Sequence, residues 1–168
     1  MSATPRQPVV LDATVLSNFA STGTVDVLVD ILDRPATVPA VQTELERGYA
    51  RDYDFLDDAL ARIGDAITLL GVEEQSTGDA GIRDRLDSGE AEALLGAIAR
   101  EGTLATDDLA ARETATERSV PVTGSVGLLV VGIHRGEIDS GTANGWLDDW
   151  RAKRGYYAPV ERIEEVLG

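Results

Sequence analysis

The chain has 168 residues, with 30 Asp and Glu against 15 Lys and Arg, one histidine and no cysteine, which removes disulfides, thiol nucleophiles, iron–sulfur clusters and thiolate zinc from consideration. His134 is the sole imidazole, so a multi-histidine metal centre is excluded and a Ser-His-Asp triad would have to rest on that one residue. A net charge of −15 argues against a broad basic face that grips nucleic acid, though not against a local basic groove.

The first element expected is a buried strand at PVVLD, residues 8–12, an apolar run that stops at an acid. A short helix follows from Thr14 to Ala20, and after the STGT turn Val25, Leu28, Val29 and Leu32 repeat at helical spacing. ATVP, residues 36–39, reads as a second strand, with Pro39 opening the helix AVQTELERGYA. Residues 52–63 again have helical spacing, and 66–72 read as a strand. The polar stretch 73–87 is expected to be helical only in part. SGEAEALLGAIAREG, residues 88–102, is the clearest helix, with Gly102 as its C-cap. A strand at 103–106, a helix at 108–118, a strand at 120–123 and a helix at 124–138 follow, and 140–157 is helical with Trp146 and Trp150 one turn apart. The two tryptophans are expected to pack against the sheet layer or a second protomer.

Strands alternating with helices predict an α/β fold with a mostly parallel sheet covered on both faces. The length predicts a single domain over 1–168, with a core at 8–138 and a C-terminal helical extension at 139–168. Lys153 is the only lysine, and the acids are spread along the whole chain, a composition suited to a salt-rich, halophilic cytosol. There, like charges are screened over about 3 Å at 1 M salt. No stretch reaches the roughly 18 apolar residues of a membrane span, and MSATPRQPVV lacks a signal-peptide core, so no membrane association and a cytoplasmic location are expected.

Ligands of open parallel sheets bind outside the carboxyl ends of the strands, and acids collect there. Asp12 ends the first strand and Asp107 with Asp108 follows the fourth, while Glu44 lies in the first two turns of a helix and Glu90 opens another beside Glu92. Carboxylates brought to one edge by separate elements make a hard-oxygen site suited to Mg²⁺ or Mn²⁺. Such a cation orients a water, lowers its pKa and stabilises charge on a phosphate. Each acid also has a plainer explanation. Asp12 would cap a helix, Asp87 and Glu90 have capping-box spacing, and Asp107 and Asp108 complement a helix dipole. The set argues more strongly than its members, because crowded carboxylates repel one another unless a cation neutralises them.

The stretches VVLDATVLSNFA, VPAVQTELERG and LDSGEAEALLGAIAREGTLATDDLAARETATERSVPVTGSVGLLVVGIHRGEI resemble a PIN domain, and more narrowly the PIN-like prokaryotic proteins close to VapC-type toxins. The resemblance covers residues 8–138 and is most specific from Gly89 to Ile138. It implies a three-layer α/β/α sandwich with four or five strands, and a metal-dependent endoribonuclease acting on single-stranded RNA. It assigns catalytic roles to Asp12, Glu44, Glu90 and Asp107, and metal binding to Asp12, Glu90, Asp107 and Asp108, with the choice between the last two open. Many relatives have Asp where this chain has Glu90, and Glu92 competes for the position. Ser125 matches a position that hydrogen-bonds near the metal. Expected partners are single-stranded RNA, an antitoxin protein and a second copy in a homodimer.

Arg112 stands one turn beyond the acids and would suit a scissile phosphate as well as a salt bridge to Glu113 or Asp108. His134, on an apolar helix far from the acids, reads as structural. TGSVG matches neither a P-loop nor a dinucleotide fingerprint. DATVL lacks the second Asp of a dehalogenase-type phosphatase. Two functions are therefore expected to compete: an active nuclease, the toxin of a toxin–antitoxin pair, and a catalytically inactive PIN-like nucleic-acid-binding or regulatory module.

Overall fold

The computed structural model describes residues 4–71 and 79–167. Five short parallel strands, β1 (Val9–Leu11), β2 (Pro35–Thr37), β3 (Thr68–Leu69), β4 (Thr103–Ala105) and β5 (Val122–Thr123), form one sheet in the order β3-β2-β1-β4-β5. The central strands β1 and β4 are buried throughout, as a parallel sheet covered on both faces requires.

Between β1 and β2 run α1 (Ala13–Ser21) and α2 (Val25–Ile31), and α3 (Pro39–Ala50) and α4 (Leu56–Arg62) lead to β3. Then α5 (Asp79–Arg85) and α6 (Ser88–Arg100) precede β4, α7 (Leu109–Glu117) precedes β5, and α8 (Ser125–His134) and α9 (Ser140–Arg154) follow, with a short 3-10 helix at Ile163–Val166 beyond them. On one side α6 packs against α3, α5 and α7; α8 packs against α2 and α9. The result is the expected three-layer α/β/α sandwich. Its core is a single cluster of buried residues that includes Phe19, Leu94, Leu128 and Trp150.

Element order follows the sequence, and the differences lie at the ends. β3 is shorter than 66–72 because it is an edge strand with both residues exposed, and Ile67 makes only an isolated bridge to Ile63. Val72 and the stretch 73–78 lie outside the described residues; from Asp79 the segment is helical. β5 begins at Val122 rather than at 120, since the Val120 N–H closes the end of α7 on the Ala115 carbonyl and Pro121 has no N–H to donate. The second strand ends at Thr37, and Pro39 opens α3 as expected.

Gly102 is not the left-handed residue after α6. Glu101 adopts that conformation, with φ 54°. Gly102 is instead required by proximity: a Cβ there would stand 2.2 Å from the Pro8 carbonyl oxygen, in the crossing that lays β4 beside β1. Trp150 is fully buried, with its ring edge-on to Phe19 at 5.0 Å and to Tyr156 at 5.8 Å. Trp146 is partly buried against the same core. Among the described residues no helix is long and apolar enough to cross a membrane.

Candidate active site

The chain builds the sheet outward from β1 through β2 to β3, then crosses back to lay β4 and β5 on the other side of β1. The loops leaving β1 and β4 therefore diverge, and the crevice between them is the switch point at which such sheets bind ligands. Asp12 and Thr106 to Asp108 meet there.

Asp12 is the N-cap of α1, its Oδ1 accepting the Ala13 N–H at 2.8 Å, and only 1% of it is exposed. Its Oδ2 accepts the Thr106 hydroxyl at 2.6 Å, and the same Oγ1 accepts the Asp108 N–H at 3.1 Å. One threonine thus ties the loop after β4 to the acid after β1. Burial pushes the Asp12 carboxyl up to about 6 against these hydrogen bonds, and the charges of Asp87 and Asp108 add to the rise.

Glu90 and Asp87 form the capping box at the start of α6: Asp87 Oδ1 accepts the Glu90 N–H at 2.9 Å, and Glu90 Oε1 accepts the Asp87 N–H at 3.2 Å. The structural explanation for this pair therefore holds, and it does not exhaust their surroundings. Burial, followed by the charges of Asp87, Asp108 and Asp12, raises Glu90 to about 8. Glu44 reaches in from α3. A Cβ on Gly89 would lie 2.8 Å from its Oε1, so the Glu44 carboxylate occupies the space that glycine leaves at the start of α6. Burial and the charges of Asp12 and Asp87 raise Glu44 to about 7, with Arg47 opposing.

Asp12, Glu44, Asp87, Glu90 and Asp108 therefore share one electrostatic field. Of these, sequence reasoning gave Asp87 only a capping role. Glu92 stands apart, with Oε1 accepting the Ala40 N–H at 2.9 Å and capping the otherwise uncapped start of α3.

Asp107 belongs to a different hydrogen-bonded set. Its Oδ1 accepts the Ser125 N–H at 2.8 Å and the Tyr156 hydroxyl at 3.4 Å. Its Oδ2 accepts the Ser125 hydroxyl at 2.5 Å and the Asn18 amide at 3.3 Å. Asn18 is buried, and its amide also donates to Ser125 Oγ, at 3.2 Å. Gly124 lets this set close, because a Cβ there would stand 2.7 Å from both Asp107 Oδ1 and a terminal nitrogen of Arg112. Arg112 donates to the Thr106 carbonyl at 3.0 Å. Neither Glu113 nor Asp108 forms an ion pair with it among the described residues. Arg112, Asp107 and Tyr156 stand on the wall of a groove of about 880 Å³ beside β5. His134 is exposed at the end of α8.

The donors are all carboxylate oxygens, the chemistry that suits a hard divalent cation, and burial with mutual repulsion leaves them short of positive charge. Among the described residues, no group of three or more His, Asp or Glu side chains is already closed around a point that could hold a metal ion.

No curated protein matches the chain. A family model described as PIN domain matches residues 8–168, beginning at β1 and taking in α9, which lies beyond the resemblance read from the sequence. PIN domains are typically nucleases that generally use divalent metal ions. With all five strands, the acids at their carboxyl ends and the C-terminal helix inside that match, the chain belongs to the PIN domain family.

Proposed function

We propose that this PIN domain is a metal-dependent endoribonuclease that hydrolyses phosphodiester bonds of single-stranded RNA. The observation that carries the reading is the shared field at the β1/β4 switch point, where Asp12, Glu44 and Glu90 are raised to about 6, 7 and 8 by burial and by one another's charge or that of Asp87 and Asp108. Carboxylates in this state at neutral pH take up either protons or a cation. Asp12, Glu90 and Asp108 would hold Mg²⁺ or Mn²⁺, which when bound supplies charge to the phosphate and a more acidic water. Glu44, half-buried beside Gly89, holds the proton taken from the attacking water. Asp107 is the acid fixed by Asn18, Ser125 and Tyr156, and it sets the Ser125 hydroxyl at the edge of the site. Arg112, without an ion-pair partner among the described residues, faces the phosphate with its remaining N–H groups.

The wider reading makes the chain the cytoplasmic toxin of a toxin–antitoxin pair, a homodimer held inactive by an antitoxin that covers the acidic edge. Its acidic surface suits a halophilic cytosol. The competing reading is a catalytically inactive nucleic-acid-binding or regulatory module, and a net charge of −15, which opposes docking of RNA, favours it. Incubation with a mixed single-stranded RNA pool in molar KCl and Mn²⁺, beside duplex RNA and single-stranded DNA, separates the two. Cleavage of the single-stranded RNA is expected; binding of RNA without cleavage of any substrate supports the module.

A further inference from the structure

The hydrogen-bonded set around Asp107 does not end at Asn18. The Asn18 Oδ1 accepts from Arg154 Nε at 2.9 Å, across 136 residues of sequence. Arg154 is the last residue of α9, where Gly155 takes the left-handed conformation with φ 64° and turns the chain so that Tyr156 can reach Asp107. The buried Trp150, one turn earlier, fixes this end of the helix. Arg154 is therefore a rigidly placed residue. Its guanidinium carbon stands 5.4 Å from the centre of the Phe55 ring. Tyr53 packs edge-on to Phe55 at 6.0 Å and is 54% exposed.

In a chain with 30 acids, Arg154 makes no ion pair among the described residues, and its one hydrogen bond uses Nε. Four guanidinium N–H groups remain without a protein acceptor there. Partial desolvation draws its pKa down, and the opposing influence is that of Tyr53 rather than of a carboxylate. The cation is thus held one side chain away from Asp107, beside an open aromatic ring. We infer that Arg154 and Tyr53 form a nucleotide-binding subsite, in which the guanidinium takes a backbone phosphate next to the one cleaved and the Tyr53 ring stacks on the adjoining base. Stacking needs a free base face, which a single strand offers and a duplex does not. This inference rests on the nuclease reading and specifies how its substrate is held against an otherwise repulsive surface.

The test is fluorescence anisotropy with a short fluorescein-labelled single-stranded RNA in EDTA, across a KCl series, with thermal melts of each variant. Arg154→Gln is expected to weaken binding about tenfold, the size of one charge-assisted hydrogen bond. It is also expected to lower the slope of log Kd against log salt by about 0.7, the signature of one lost phosphate contact on a single strand. Arg34→Gln, at the opposite, amino end of β2, is expected to leave both unchanged. Tyr53→Ala, at a half-exposed ring, is expected to weaken binding about fivefold with no change in salt slope, and it serves if Arg154→Gln fails to fold. Wild-type protein that cleaves RNA while Arg154→Gln and Tyr53→Ala bind like Arg34→Gln overturns the subsite alone. Wild-type protein that neither binds nor cleaves single-stranded RNA overturns the nuclease reading and the subsite together.

Discussion

Glu90 serves two purposes that pull in opposite directions. Its backbone N–H and carboxylate complete the capping box of α6, which stabilises the helix, while its negative charge faces Asp87, Asp108 and Asp12. A carboxyl raised from 4.5 to about 8 binds its proton more tightly in the folded chain than in the unfolded one. The stability this contributes is complete below about pH 4 and is lost as pH rises through 8. Glu90→Gln keeps the capping oxygen and removes the charge, so at pH 8 without metal it is expected to melt at a higher temperature than wild type and to lose RNA cleavage. A lower melting temperature would mean that the cap outweighs the repulsion. Gly89→Ala makes a complementary case. Alanine is the better helix former by about 1 kcal/mol, but its Cβ would displace the Glu44 carboxylate. The variant is expected to fold with nearly unchanged stability and to cleave RNA at least tenfold more slowly in an initial-rate assay. Asp12, Glu44 and Glu90 could be placed from sequence because each sits at the end of a strand or near the start of a helix. The adjacent Asp107 and Asp108 could not be told apart, since either could cap the helix that follows: Asp108 does so, its Oδ2 accepting the Ala111 N–H at 2.9 Å, while Asp107 turns to Ser125 and Asn18, distant in sequence.

Among the elements, α9 joins the sheet layers to the site. Trp150 anchors it against Phe19 of α1, and its last residue and the turn beyond supply Arg154 and Tyr156 to the Asn18–Asp107 set. Trp150→Ala is expected to cost about 3–5 kcal/mol by denaturant unfolding, as for other large buried aromatics, with Trp150→Phe recovering part of it. Tyr156→Phe removes only a hydroxyl and is expected to change stability little while lowering the rate of cleavage. The helical character of α9 was legible in its sequence, but its contribution to the site was not. Asn18 and Arg154 meet through the packing of α1 on α9, and no local spacing signals a contact across 136 positions. The same holds for Gly102, whose place at the end of a helix suggested a cap. What requires glycine there is the crossing of the chain under Pro8.

For the whole molecule, the switch at β1/β4 decides where charge accumulates; the alternation of strands and helices along the chain was sufficient to read a mostly parallel α/β sheet, but not the strand order that makes the switch. Three carboxyls raised to about 6, 7 and 8 make the metal-free fold lose stability between about pH 4 and 8, since each favours the folded state only while protonated. A divalent cation replaces the missing protons. Mn²⁺ is therefore expected to raise the melting temperature more at pH 8 than at pH 5, and equal shifts at both would count against a site made by these acids. The most direct measurement compares wild type and Asp12→Asn in cleavage of single-stranded RNA as Mn²⁺ is titrated, with melting curves on the same samples. An asparagine here keeps an oxygen for the Ala13 N–H and can still pair with the Thr106 hydroxyl. The account predicts Mn²⁺-dependent cleavage by wild type, none by a folded Asp12→Asn, and a smaller Mn²⁺ shift in its melting temperature. Cleavage by Asp12→Asn at the wild-type rate, or cleavage by wild type in EDTA, would contradict it.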